Sequence, residues 1–173
     1  MIHQQTRLPH PYKLDWGGPP AVQQVLGGLR KTTNQNIGNL AAAYVNIVDY
    51  QAPVFNDEFG IVSDLTAGTI MLTRLGDYLL NVNLECTFTS DNNSSRNTNL
   101  RLFNVSDNIA VPNALTALYA GAYTAGFQSS IVTFITRQAP VNKLFRLQVG
   151  GGSTFNAFNI LQAAFVLTSI GPV

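Results

Sequence analysis

Chemistry needs groups that hold a metal, move a proton or attack a carbon, and this chain carries few of them. Its two histidines, His3 and His10, stand seven residues apart near the N-terminus with no cysteine or acidic residue beside them. A zinc site needs three or four clustered ligands, so this pair does not predict one. No histidine occurs after residue 10, so a Ser-His-Asp or Cys-His arrangement would require the N-terminal segment to fold into the site. Asp57-Glu58 is an adjacent acidic pair, but neighbours on a strand point to opposite faces, and in a turn both are solvated. Two carboxylates drawn from distant strands, as in a glycosidase, are the one catalytic arrangement left open. Gly150-Gly151-Gly152-Ser153 lacks the Lys-Ser/Thr ending of a phosphate loop and reads as a turn. Cys86 is the only cysteine, so no intrachain disulfide can form. The expectation is a protein that is not an enzyme and holds no metal or cofactor.

Asn92, Asn93 and Asn104 each open a glycosylation triplet. The start, Met1-Ile2-His3-Gln4-Gln5, has no apolar stretch behind a basic end, so no secretion signal is expected and the triplets read as chance. No window approaches the ~20 apolar residues of a membrane span. Folding in a cytoplasm is expected.

The elements that must carry any function follow from composition and periodicity. The chain has 173 residues, 46% hydrophobic, enough for one domain with a real core. Only 11% of residues are charged, against roughly 25% in ordinary soluble domains. From Arg101 onward the only charges are Arg101, Asp107, Arg137, Lys143 and Arg146. Such a surface is either covered by Asn, Ser, Thr and Gln or buried against partners. The net charge of +1 gives no general attraction to nucleic acid or anionic membrane. Residues 1–40 hold four cations (Arg7, Lys13, Arg30, Lys31) against Asp15, a net of +3, which leaves −2 for the rest. This segment is either a solvated tail or a mildly basic arm lying on an acidic neighbour.

Pro9, Pro11, Pro19 and Pro20 punctuate the same forty residues and favour an extended path. Tyr12, Leu14 and Trp16 alternate there and offer one apolar edge. A short helix is expected from Pro20 to about Leu26, with Val22, Val25, Leu26 and Leu29 on one face and Gly27 ending it. Residues 1–40 thus read as an extended arm with a small helix, and residues 41–173 as the folded body.

The body reads as strands. Tyr78, Leu80, Val82, Leu84, Cys86 and Phe88 alternate with Leu79, Asn81, Asn83, Glu85, Thr87 and Thr89. Period 2 held over twelve residues predicts a long antiparallel strand with one face in the core, and places Cys86 inward as a packed thiol. Further strands are expected at 44–48, within 55–62, and at 68–72, 100–105, 129–136, 143–149 and 160–169, with a polar loop at 91–99. Residues 114–126, rich in Ala, Thr and Tyr, fit a short helix or a long loop. The last strand is apolar on both sides, Ile160, Ala164, Val166 and Ile170 against Leu161, Ala163, Phe165 and Leu167, so it is expected to be central and to face a partner subunit. About eight strands separated by turns imply an all-β sandwich or barrel.

Tyr119, Tyr123, Phe127, Phe155 and Phe158 lie in Gly-, Ala- and Thr-rich stretches. Two readings fit them: they cap the ends of the sandwich core, or with Phe165 they line a subunit interface, where aromatics are enriched and charge is depleted.

Residues 68–72 followed by Gly76-Asp77-Tyr78-Leu79-Leu80-Asn81-Val82 resemble the strand–turn–strand of the complement-globular-head and tumour-necrosis-factor superfamily, in which a Gly-x-Tyr opens a long core strand. Leu100-Arg101-Leu102-Phe103-Asn104-Val105 and the closing strand at 161–170 fall where that jelly roll would have them. Many bacteriophage virion proteins, among them fibre tips and trimeric capsid cement proteins, resemble this pattern too. The resemblance spans residues 41–173 and implies a jelly-roll β-sandwich that packs as a homotrimer. It directs the expectation to a virion structural protein, a decoration (cement) protein that stabilises a phage capsid without binding nucleic acid. Its partner would be the major capsid protein or another virion protein. Arg7, Tyr12, Lys13, Leu14, Trp16, Arg30 and Lys31 would then be the capsid-contacting residues of the arm. The alternative is a receptor-binding tip of a tail or head fibre.

Overall fold

The structure is a computed structural model that describes residues 26–53, 61–74, 76–89, 96–120, 127–135, 142–152 and 155–169. Twelve strands follow in chain order: β1 Leu26–Lys31, β2 Gln35–Leu40, β3 Val45–Asn46, β4 Ala52–Pro53, β5 Ile61–Asp64, β6 Thr69–Leu72, β7 Tyr78–Thr89, β8 Arg96–Asn104, β9 Ile109–Ala120, β10 Phe127–Ile135, β11 Lys143–Gly150 and β12 Phe155–Ser169. They form two six-stranded antiparallel sheets. The first runs β10-β7-β12-β1-β4, with β2 beside β1 on the same edge of β12. The second runs β5-β6-β11-β8-β9, with β3 beside β6 on the same edge of β11. The expected all-β sandwich is the observed one.

β7 organises the core. Its six inward residues, from Tyr78 to Phe88, are all buried, as the alternation predicts. At ~1.5–3 kcal/mol per buried side chain they contribute on the order of 10 kcal/mol. Leu29, Phe165, Leu167 and Ile160 pack beside them, and Ile70, Phe145, Leu147, Leu100 and Leu102 close the core from the second sheet. Phe88, Phe155 and Phe158 form a chain of edge-to-face contacts, with ring centroids 5.2 and 5.6 Å apart.

Several expectations change. The folded body includes residues 26–40, expected in the arm, because β1 pairs along β12 and β2 continues on the same strand. Leu26 and Leu29, assigned to the helix and its face, are strand residues, and positions 20–25 lie outside the described residues. Residues 1–25 of the expected arm lie outside the described residues. The approach of β1 to β12 is close enough that a Cβ on Gly28 would lie 2.3 Å from the Phe165 carbonyl oxygen. Residues up to 120 of the stretch read as helix or loop belong to β9. Apolar side chains on both faces of β9 hid its alternation, and Pro112 is tolerated because β9 is an edge strand. Arg96–Asn99 belong to β8 rather than to the polar loop. β12 is central, as expected, but starts at Phe155 and carries a bulge between Ile160 and Gln162. The extra residue moves Ile160 onto the buried face with Ala163, Phe165 and Leu167.

Candidate functional site

Among the described residues the outward faces of the two sheets are the broadest candidate surfaces. In the first sheet the only charged residues of all six strands are Arg30, Lys31 and Glu85. Its outward face presents Leu79, Asn81, Asn83, Glu85 and Thr87 from β7 and Ala164, Val166 and Thr168 from β12, joined in register. At the β12 bulge this face has a notch of about 290 Å³ lined by Arg30, Lys31, Asn83, Glu85, Gln162, Ala163 and Ala164. Two alanines, Ala163 and Ala164, contribute to its lining, and the charged residues there are two cations, Arg30 and Lys31, and one carboxylate, Glu85.

The second sheet's outward face is different. Its β8–β11 centre holds Arg101, Phe103 and Arg146, and its β9 edge holds exposed Leu115 and Tyr119. Arg101 sits over the Tyr44 ring, with its Cζ 3.4 Å from the ring centroid, and 5.1 Å from that of Phe103. Its Nε donates to Gln148 Oε1 at 2.9 Å, and Gln148 Nε2 donates to Asn46 Oδ1 at 2.8 Å.

The residues singled out from sequence distribute as follows. Arg7, Tyr12, Lys13, Leu14, Trp16 and Tyr123 lie outside the described residues. Arg30 is exposed on β1. Lys31 is not an arm contact: it is 1% exposed, and its Nζ donates to Val48 O at 2.9 Å and Asp49 O at 3.1 Å. Burial pulls its ammonium below the usual lysine range, opposed by the nearby Asp49 carboxylate. Tyr119 is 64% exposed and free to meet a partner. Phe127 pairs with Cys86 through its backbone on β10. Phe155, Phe158 and Phe165 are wholly buried in the chain's own core. They pack inside the chain rather than at an interface, because β12 turns them inward. Cys86 is buried, and burial, reinforced by the Glu85 charge, pushes its thiol up to about 12.

Sequence reasoning missed Leu115 and the Tyr44–Arg101–Gln148 cluster. Alternation in β8 puts Arg101 and Phe103 on one face and could have flagged half of it. Among the described residues no group of three or more His, Cys, Asp or Glu side chains could hold a metal, and no helix is long and apolar enough to cross a membrane.

No family model and no curated protein matches the chain. Solved structures do. Murine APRIL at pH 5.0 is similar over 86% of this chain and 100% of its own, with TM-score 0.53 and 8% identity. Eiger TNF from S. frugiperda is similar over 87% and 93%, with TM-score 0.53 and 9% identity. The fold is a tumour-necrosis-factor-like jelly roll. The PRD1 vertex protein P5 is also similar, over 87% of this chain and 99% of its own, with TM-score 0.50 and 15% identity. At these identities the likeness describes the fold.

Proposed function

We propose that this jelly roll is a virion structural protein: a homotrimeric decoration (cement) protein that binds a phage capsid through its N-terminal arm. The observation that carries the reading is the near absence of charge from the β10-β7-β12-β1-β4 sheet, whose exposed outward face offers only Arg30 and Glu85. A solvated face of this size ordinarily carries many charges of both signs. A neutral face of Leu79, Ala164, Val166, Asn81 and Asn83 is suited to cover by a second copy. The trimer is the assembly that the resemblance implies, and similarity in fold to a vertex protein supports a virion setting. Residues 1–25 then reach from the trimer to a neighbouring capsid subunit, and three arms binding together give avidity.

Truncation tests this reading, and it must stop at residue 25, since deleting 1–40 would remove β1 and β2 from the sheet. The chain lacking residues 1–25 is expected to fold and to keep its oligomeric mass, yet to fail to co-sediment with undecorated capsids of its own virus. Full decoration by the truncated chain would refute the arm's role. The receptor-binding alternative draws on exposed Tyr119 and predicts glycan binding by the isolated protein; no signal on a glycan array would count against it.

A further inference from the structure

We infer that the outward face of the β11–β8–β9 region is a docking surface for an acidic segment of a partner polypeptide, with Arg101 and Arg146 receiving its carboxylates. The inference deepens the assembly reading and rests on it only for the partner's being a protein.

Arg101 is held without being neutralised. Tyr44 and Phe103 lie against its guanidinium, and the Asn46–Gln148 relay holds its Nε. Arginine has five N–H donors in a rigid fork, and among the described residues one of them, Nε, finds an acceptor. The remaining four lie on the two terminal nitrogens, the pair that grips a carboxylate with two parallel hydrogen bonds. A guanidinium held against aromatic rings with its terminal nitrogens unspent is pre-organised for bidentate recognition of a carboxylate.

Arg146 repeats the pattern next door. In the β8–β11 register Arg101 faces Gln148 and Phe103 faces Arg146, so the two arginines are diagonal neighbours on one face, roughly 7–8 Å apart at Cα. Arg146 Nε is buried and has no acceptor. Among the described residues neither arginine is paired with a carboxylate. Two described acidic residues of this sheet have partners elsewhere. Asp64, two strands from Arg146 in the same row, accepts from the Ala67 amide, and Asp107 takes Lys143 and Asn104.

The surroundings favour a polypeptide. Leu115, directly opposite Arg101 in the β8–β9 register and 55% exposed, and Tyr119 beyond it supply an apolar shoulder. A segment alternating acidic and apolar side chains would place carboxylates on the arginines and apolar groups on that shoulder. A charged glycan would match the arginines but not Leu115.

The test titrates the intact, 15N-labelled protein with a capped decapeptide of alternating glutamate and leucine, its glutamine–leucine counterpart, and sialyllactose. Saturable, salt-sensitive shifts at Asn46, Arg101, Leu115, Arg146 and Gln148 are expected with the glutamate peptide. The glutamine peptide, and the Arg101→Gln/Arg146→Gln variant, should bind at least about tenfold more weakly. Should that variant fail to fold, Arg101→Lys and Arg146→Gln are read singly. Arg101→Lys keeps the charge but loses the fork, and should also weaken binding. No binding, equal binding of both peptides, or full binding by the folded variants would overturn the proposal. Binding of sialyllactose alone would overturn the polypeptide in favour of a glycan. A protein that binds the glutamate peptide but is monomeric would sink the assembly reading and leave this surface standing.

Discussion

Replacing Lys31 separates a structural lysine from a partner-contacting one. Its ammonium donates to the Val48 and Asp49 carbonyls, and its stem is buried, so it ties the end of β1 to the segment that follows β3. Lys31→Ala removes three buried methylenes, at ~0.8 kcal/mol each. It also strands two carbonyls, at about 1–3 kcal/mol each where burial is complete. Release of a desolvated cation offsets part of this, leaving a net loss of about 2–4 kcal/mol. With a urea slope near 2 kcal/mol/M the unfolding midpoint falls by about 1–2 M. Lys31→Met keeps most of the stem and should lose less. The pH dependence carries a definite sign. Burial lowers the folded-state pKa below the ordinary 10.5, so the cost of the buried charge is present at neutral pH. It is relieved as pH rises through the folded value toward 10.5, because the folded chain then binds fewer protons than the unfolded one. Wild type should therefore gain on Lys31→Met across that alkaline window. Tyr50, buried with its phenol pushed up, weakens both proteins equally at high pH and cancels. A midpoint unmoved by Lys31→Ala, or a wild-type advantage that shrinks with pH, would refute the structural role.

Other positions test the division between core and surface. Phe158→Ala should cost about 3–5 kcal/mol in the same urea assay, whereas Tyr119→Ala should move stability by less than about 0.5 kcal/mol. Gly28→Ala forces β1 away from the Phe165 carbonyl and should cost about 1–3 kcal/mol, seen as a drop in Tm. The Cys86 thiol, at about 12 against an ordinary 9.0, should react with a disulfide reagent at pH 8 on the order of a thousandfold more slowly than in the unfolded chain, a ratio that a stopped-flow trace measures.

What was legible in the sequence was what one strand records by itself. β7 could be read from Tyr78 to Thr89 because one face meets core and the other does not. β9 could not, because Leu115, Ala117 and Tyr119 are apolar on the face opposite Ala114 and Leu118. The β12 bulge was invisible, since an added residue in an apolar run leaves no polar marker, and with it went the faces of Ile160 and Phe165. Lys31 read as a capsid-contacting residue of the arm because its acceptors lie 17 and 18 residues later. The Arg101 cluster was half legible: Phe103 shares its strand, but Tyr44, Asn46 and Gln148 arrive only through sheet pairing.

If copies of the same chain cover the charge-poor sheet, the intact protein under native conditions has the mass of an assembly. A particle of three 18.7 kDa chains that persists at micromolar concentration is expected. A single 18.7 kDa species under those conditions would contradict it.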